Sequence, residues 1–434
     1  MGRFDPIKSM ASTMLPELTL LRRDLHKHAE TGWLEMRTSS IIARKLTELG
    51  YEVLMGEQVC LRDARMGVPE EAVLEQQYAR AVAQGADPEF VPFTKGGMTG
   101  VIGILRCGEG PTVAMRFDID ALGVFEAEDD SHLPSKEGFA SINRGFMHAC
   151  GHDGHTVIGL GVAKILMAIK DQLHGTVKLI FQPAEEGVRG AKAIVENGHL
   201  DDVDFVLGNH ISKQDEKTAG CDVIPGIYNS LATTKYDVVY KGKAAHAGAA
   251  PHLGNNALLA AASAVMNLYA IPRHGEGASR INVGTLHAGS GRNVIADEAK
   301  MELEIRGANT EINNYMTEYA NRILQNAADM FGCTCQIKLM GAAEAMCSDK
   351  ALADRVSAVA QEAGLVPVEA SATGGSEDYS YMMNRVQQHG GQAVFFRSLT
   401  KISGTSHGRY YDFDEQVIAN AVTIFCCSAL DLMG

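Results

Sequence analysis

The spacing of apolar positions divides the chain into stretches of different texture. Near the N-terminus it is helical. Leu18, Leu21 and Leu25 recur at three- and four-residue steps within Leu15–His28, and Ile41, Ile42, Leu46 and Leu49 share one face of Glu35–Leu49. Gly50 follows where a helix C-terminus favours a residue free to turn left-handed. A strand starts at Tyr51–Leu54. Residues 57–95 then break the pattern: they are polar, rich in Glu, Arg and Gln, and helical only around Glu71–Ala83. They read as a surface insertion or as a cap near a substrate entrance.

From about residue 100, short apolar runs read as buried strands: Val101–Leu105, Val113–Phe117, Val177–Phe181, Val203–Leu207 and Ala393–Phe396. Helical stretches at His155–Ile169 and Ala191–Asn197 separate them. The alternation predicts an α/β domain with a mostly parallel sheet covered on both faces. Between about 230 and 340 the rhythm changes. Strands at Thr233–Tyr240, Arg280–Leu286, Ala299–Ile305 and Cys335–Leu339 enclose helices at Asn256–Tyr269 and Glu311–Met330. This β-α-β-β-α-β order is ferredoxin-like. The expected organisation is an α/β domain of residues 1–227 and 341–434, with a second domain, 228–340, inserted in it.

Composition narrows the partners. The 434 residues are 46% hydrophobic and 21% charged, enough for two or three globular domains. With 39 Lys and Arg against 53 Asp and Glu, the formal charge is -14, which argues against phosphate backbones and hence nucleic acid. No uninterrupted apolar run reaches about 18 residues, so no membrane span is expected. Nine cysteines at irregular positions suit a reducing compartment, and the start MGRFDPIKSM lacks the apolar core of a secretion signal. A cytoplasmic protein is the expectation.

Ligands of open α/β sheets bind beyond the carboxyl ends of the strands. Asp118-Ile119-Asp120 follows one strand, Gln182-Pro183-Ala184-Glu185-Glu186-Gly187 the next, and Gly208-Asn209-His210 a third. His407 lies in the loop after Ala393–Phe396, and Met147–His155 precedes a helix with Cys150, His152 and three further polar residues, His148, Asp153 and His155. A lone histidine is usually a core or surface residue; five segments converging on one sheet edge point to metal. Cys150, His152, Glu186, His210 and His407 are the candidate ligands. Thiolate, imidazole and carboxylate together suit Zn, Mn, Co or Ni better than Ca or Mg. Five ligands exceed what one tetrahedral ion needs, so two divalent ions are expected. His148, Asp153 and His155 could instead orient the ligands. In the Glu185-Glu186 pair, one carboxylate can bind metal while the other acts as general base. Competing chemistries lack their signatures: there is no G-x-S-x-G, no P-loop, no complete dinucleotide fingerprint and no H-E-x-x-H.

These residues resemble the dinuclear-metal amidohydrolase and aminoacylase family. The resemblance runs through Arg23-Asp24-Leu25-His26 with Glu30 and Gly32, MRFDIDAL (115–122), MHACGHDGH (147–155), FQPAEEG (181–187), GKAAHAG (242–248), GRNVI (291–295), GGSEDY (374–379) and the His407 segment. It implies that Cys150, His152, Glu186, His210 and His407 bind two metal ions, Mn or Zn first and Co or Ni as alternatives, with Cys150 bridging. It further implies that Glu185 is the base and that Asp118 is a supporting acid behind the metals. His246 would reach the oxyanion of a neighbouring subunit's site, and Asn293 and Arg306 would hold a substrate carboxylate or carbonyl. The inserted domain would mediate a homodimer, or a heterodimer with a homologous subunit. Ala29, where many members have Pro, and Gly408-Arg409 after the last ligand depart from the pattern without removing a ligand. The insertion 57–95 and the ending Phe413–Val417 resemble members acting on N-acyl acidic amino acids. The implied small-molecule substrate is an aromatic N-acyl-glutamate or N-acyl-aspartate: p-aminobenzoyl-glutamate first, indole-3-acetyl-aspartate as the alternative. A non-catalytic metal-binding partner of an active enzyme and an amino-acid or peptide sensor are the readings of another class.

Overall fold

The computed structural model describes residues 2–368 and 375–434. They divide into two compact units, one of residues 2–228, 347–368 and 378–434, the other of Asn229–Met346 with 375–377.

The first unit opens with α1 (Asp5–Lys27), α2 (Met36–Glu48), β1 (Glu52–Met55) and α3 (Glu71–Ala83). It continues with β2 (Val101–Arg106), β3 (Thr112–Asp118), α4 (Leu133–Glu137), α5 (His152–Ala168), β4 (Thr176–Gln182), α6 (Ala191–Val195), β5 (Phe205–Lys213) and β6 (Val223–Ile224). The second unit contains β7 (Ala232–Lys241), α7 (Ala257–Tyr269), β8 (Ser279–Ala288), β9 (Glu298–Gly307), α8 (Thr310–Met330) and β10 (Thr334–Ala343). The chain returns to the first unit for α9 (Lys350–Glu362), α10 (Ser380–Gln388), β11 (Gln392–Thr400), β12 (Ile402–Ser403), β13 (Asp412–Phe413) and α11 (Gln416–Met433).

The seven-stranded sheet of the first unit has the order β1-β2-β4-β3-β5-β11-β6. Its centre, β4-β3-β5-β11, is parallel, and the outer pairings are antiparallel. The chain leaves β3 for β4 on one side, then returns past β3 to β5 on the other. Strand order therefore reverses beside β3, and a crevice opens beyond the carboxyl ends there. Helix α11 is apolar almost all round and long enough to cross a membrane, but it is buried in the core with α5 and α1. A helix buried on every side shows no 3.6-residue periodicity, so the pattern of its residues did not reveal it.

The helices and strands extend the sequence expectations at their ends. Helix α1 starts at Asp5 rather than Leu15, with Pro6 in its first turn, where the missing N–H costs nothing, and with Pro16 inside it. Glu30 receives the N–H groups of Arg37 and Thr38 at 3.0 and 2.9 Å and so caps α2. Residues 57–95 are packed rather than loose. Leu74, Ala81, Ala86 and Val91 form a small core with Leu34 and Met36. The Trp33 indole donates to Met66 O at 2.7 Å, and Arg44 pairs with Asp87 and Glu89.

The second unit is a four-stranded antiparallel sheet, β10-β7-β9-β8, with α7 and α8 over a core that includes Tyr240, Leu268, Met301, Leu303, Ile305 and Leu324. Asn256 and Asn309 cap the two helices through hydrogen bonds from Leu259 N and Ile312 N. Because β10 pairs with β7 as far as Ala343, the unit runs on to Met346, past the expected boundary at 340.

Behind the N-terminus of α5 lies a buried ionic network. Arg22 pairs with Asp153 at 2.8 Å and Asp412 at 2.7 Å, and His26 lies 2.8 Å from Asp153 and 2.9 Å from Glu126. His148 stacks obliquely 6.2 Å away, and His132 shares Glu126. Burial alone would lower the His26 pKa, but its bonds to Asp153 and Glu126 outweigh this and raise it to about 9. A proton held more tightly in the folded than in the unfolded chain stabilises the fold. That contribution is complete below about pH 6.5 and is lost as the pH rises through about 9. His26→Gln is therefore expected to destabilise the protein by roughly 2 kcal/mol at pH 6 in urea unfolding, with the difference shrinking above pH 9. A pH-independent difference would contradict a charged His26.

Candidate metal centre

The sheet edge gathers its chemistry from four places. Cys150 precedes α5, and His152 is the first residue of that helix, three residues earlier than the pattern suggested. Gly151 between them has φ +95°, and a Cβ there would lie 2.8 Å from the Tyr411 hydroxyl. Glu185 and Glu186 sit in the turn after β4. His210 is not in a loop: β5 pairs with β11 as far as Lys213, so His210 lies within the strand, opposite Arg397. His407 has φ +62°, and its N–H donates to Ala149 O at 2.8 Å, tying its loop to the Cys150 segment.

The donor atoms of Cys150, His152 and His210 all lie within 4.8 Å of one another, and so do those of Cys150, Glu186 and His407. Cys150 belongs to both groups. His152, Glu185 and Glu186 form a third such group. Cys150 Sγ lies 3.4 Å from His210 Nε2, Glu186 Oε1 lies 3.6 Å from His407 Nε2, and the same oxygen is 3.9 Å from His152 Nε2. His152 Nε2 and Glu186 Oε1 are buried and make no hydrogen bond among the described residues.

Charge at the cluster is out of balance in the way a cation corrects. Burial pushes the Cys150 thiol up to about 12 and the Glu186 carboxyl up to about 7. Burial opposes a proton on His152, yet Asp118, Asp120 and Cys150 hold its pKa well above the usual range. His210 is driven well below, by burial first and then by His155. Soft and borderline donors, two of them orphaned, around a crowd of negative groups fit divalent ions of the Zn or Mn kind.

The remaining polar residues orient this set. His152 Nδ1 lies 3.3 Å from Asp120 Oδ1, which leaves Nε2 for the cluster. His155 accepts the Ile211 N–H on Nε2 at 2.9 Å and hydrogen-bonds Asp118 through Nδ1, so its proton is on Nδ1. Asp118 is buried behind the donors, also paired with Arg116 at 2.5 Å. Asp153 belongs to the Arg22 network. Burial lowers His148 to about 4, so it is neutral and stands apart from the donor groups.

The turn that carries the two glutamates is gripped from behind by carboxyl groups. Asp120 accepts the N–H groups of Glu185 and Glu186 at 3.0 and 2.9 Å. Asp378 accepts those of Gly190 and Ala191, each at 2.9 Å. Glu35 accepts that of Ala184 at 2.7 Å. Arg116 donates to Gln182 at 2.8 Å, Gln182 donates to Asp378 at 2.8 Å, and Arg189 Nε donates to Glu186 O at 2.8 Å. Sequence reasoning gave no role to Asp120, Asp378 or Glu35. Asp120 and Asp378 stand in the MRFDIDAL and GGSEDY runs, where they could have been found; Gly374 of the latter lies outside the described residues.

In the second unit, His246 is exposed, and its Nδ1 accepts the N–H groups of Gly248 and Ala249 at 3.1 and 3.0 Å. The proton of the neutral ring is therefore on Nε2, which becomes a donor. Asn293 O accepts the Ala247 N–H at 2.9 Å, so Asn293 belongs to the same corner. Arg306 does not. It lies near the far end of β9 from Glu298, eight residues and roughly 27 Å along the strand. There its guanidinium holds Glu304 at 2.6 and 3.2 Å.

A sheet-end cluster of thiol, imidazoles and paired carboxylates in an α/β domain carrying a ferredoxin-like insertion is the plan of a two-metal amide hydrolase. The chain belongs to peptidase family M20/M25/M40, matched over residues 114–431. It is 46% identical over 433 residues to one of the chains of the p-aminobenzoyl-glutamate hydrolase of Escherichia coli, covering 98% of each. It is also 46% identical over 426 residues to indole-3-acetyl-aspartic acid hydrolase of Enterobacter agglomerans, covering 96% of each. The structure of a dinuclear-metal-binding M20 peptidase from Bacillus subtilis matches 97% of this chain and 99% of its own, with a TM-score of 0.66 and 26% identity.

The grip on the turn is directly testable. A Cβ on Gly190 would lie 1.7 Å from Pro183 O, so any side chain there forces the turn open. Gly190→Ala is expected to lower the melting temperature and to reduce metal uptake, read by calorimetry and metal analysis; wild-type values for both would show that the turn is not tightly closed.

Proposed function

We propose that the protein hydrolyses the amide bond of an N-acyl amino acid with an aromatic acyl group, p-aminobenzoyl-glutamate or a related N-acyl-glutamate or N-acyl-aspartate. The observation that carries this reading is the pair of donor groups sharing Cys150, with Glu185 alongside. The relative acting on indole-3-acetyl-aspartate is as similar in identity as the p-aminobenzoyl-glutamate one, and that substrate is the alternative. Cys150, His152, Glu186, His210 and His407 would hold two ions, Mn or Zn foremost, with Co or Ni possible. Nine free thiols suit a reducing cytoplasm.

When bound, such ions polarise the acyl carbonyl and make a water acidic at neutral pH. Glu185 takes the proton from that water and passes it to the departing amide nitrogen. Asp120 keeps Glu185 and Glu186 aimed, and Asp118 acts from behind through His155.

His246 offers an Nε2 proton to the acyl oxygen, with Asn293 beside it, and Arg306 binds the amino-acid carboxylate in place of Glu304. A small N-acyl amino acid cannot span the roughly 27 Å between the two ends of β9. If His246 and Arg306 serve one substrate, they come from different copies of the inserted unit. This supports a dimer, of this chain or with a homologous subunit, in which His246 acts in trans. Helix α7 leaves Leu258, Leu259, Met266 and Tyr269 exposed for such a contact.

Three outcomes are expected. Glu185→Gln keeps its metal and loses about 10²–10⁴-fold in turnover of p-aminobenzoyl-glutamate with Mn²⁺ or Zn²⁺ added; near-normal turnover would remove Glu185 from its role. No turnover of any aromatic acyl-amino acid by the wild-type protein would favour a non-catalytic partner or a sensor. Cys150→Ser weakens metal retention on dialysis, because a hydroxyl is a poorer ligand than a thiolate; unchanged content would place Cys150 outside the site. Finally, mixing Glu185→Gln with His246→Ala under conditions that exchange subunits restores activity in hybrid dimers, and a well-exchanged but inactive mixture rules out donation in trans.

A further inference from the structure

Ala184 has φ +52° and Val188 φ +60°, both in the left-handed region that non-glycine residues adopt at a cost. Such conformations persist only where surrounding contacts over-determine them. For Ala184 that contact is Glu35. The Glu35 side chain is fully buried; Oε1 accepts the Ala184 N–H at 2.7 Å, and Oε2 lies 2.6 Å from the Thr99 hydroxyl. Thr99 is fixed in turn, because the Ser39 hydroxyl donates to its carbonyl at 2.5 Å. Ala184 immediately precedes Glu185, so its backbone angles set the direction in which the base leaves the turn.

We propose that Glu35 is a positioning residue of the hydrolytic reaction, holding the Ala184 amide so that Glu185 meets the substrate at the right angle. The proposal rests on the reading of Glu185 as general base. Glu35 touches neither the donor cluster nor the substrate side of the turn through any contact described above. Its surroundings also explain why an acid can sit there. Burial first, and then the neighbouring Asp120 carboxylate, push Glu35 up to about 8, so near neutrality it is mainly the uncharged acid. It therefore grips the turn without adding a second full negative charge beside Asp120. An amide side chain has the same shape and the same accepting oxygen.

The experiment compares Glu35→Gln, Glu35→Ala and Thr99→Val with wild type in kcat, KM, metal content and melting temperature. Glu35→Gln is expected to keep kcat within about threefold. Glu35→Ala is expected to lose about 10²-fold in kcat, the scale of a small misplacement of a reacting group, with KM and a full metal complement unchanged. Thr99→Val is expected to fall between them, and it carries the test if Glu35→Ala does not fold. A folded Glu35→Ala protein with wild-type kcat and only a lowered melting temperature would show a purely structural role and overturn the proposal. So would a Glu35→Gln protein as impaired as Glu35→Ala, or, where Ala fails to fold, a Thr99→Val protein with wild-type kcat. Glu185→Gln measured alongside separates the two readings. If it is active, the base assignment fails and takes this proposal with it; if it is inactive while Glu35→Ala is fully active, only the role of Glu35 fails.

Discussion

Three buried carboxyl groups, those of Asp120, Asp378 and Glu35, accept five backbone N–H groups from the turn between Ala184 and Ala191. Burying acids this way is costly unless each finds donors and opposite charge. Arg116 supplies that charge. It is fully buried in the central strand β3 and reaches Asp118, Asp378 and Gln182. The position of β3 between β4 and β5 lets one guanidinium serve the ends of several segments. The sheet is thus a frame that brings a cation to carboxylates, and the carboxyl groups bring a strained turn into a single shape.

The donor cluster extends the same balance outward. His152 is steered by Asp120, and the β5 segment bearing His210 by the chain Asp118–His155–Ile211 N. The far side of α5 is anchored by Arg22 and His26 on Asp153. Each donor thereby has a fixed direction, while the negative charge it faces is only partly compensated by protein. Divalent ions complete that compensation, which is why a pre-formed site and a strong appetite for metal occur together here.

The sequence was informative where periodicity or residue chemistry was local. Strands β2, β3, β4 and β11, helix α3 and the order of the inserted unit follow from apolar runs bounded by turn residues. The ligand candidates followed from unusual residue types at strand ends. What could not be read was anything set by long-range pairing. His210 lies in a strand because β5 continues alongside β11. Helix α11 showed no stripe because every side of it is covered. Glu35, flanked by Leu34 and Met36, carries no mark of its partner 149 residues away. Asp120 and Asp378 were in view but unassigned, since accepting a backbone N–H leaves no trace in composition. The separation of Arg306 from His246 along β9 likewise follows only from the register of the second sheet.

The central claim is that the protein frame, rather than the metal, shapes the turn that carries Glu185 and Glu186. Amide hydrogen exchange at residues 184, 185, 186, 190 and 191 in protein stripped by a chelator tests it most directly. The account expects these five amides to exchange as slowly as those of β3 and β4, with little change when Mn²⁺ or Zn²⁺ is restored. Fast exchange in the stripped protein that becomes slow only on adding metal would contradict it.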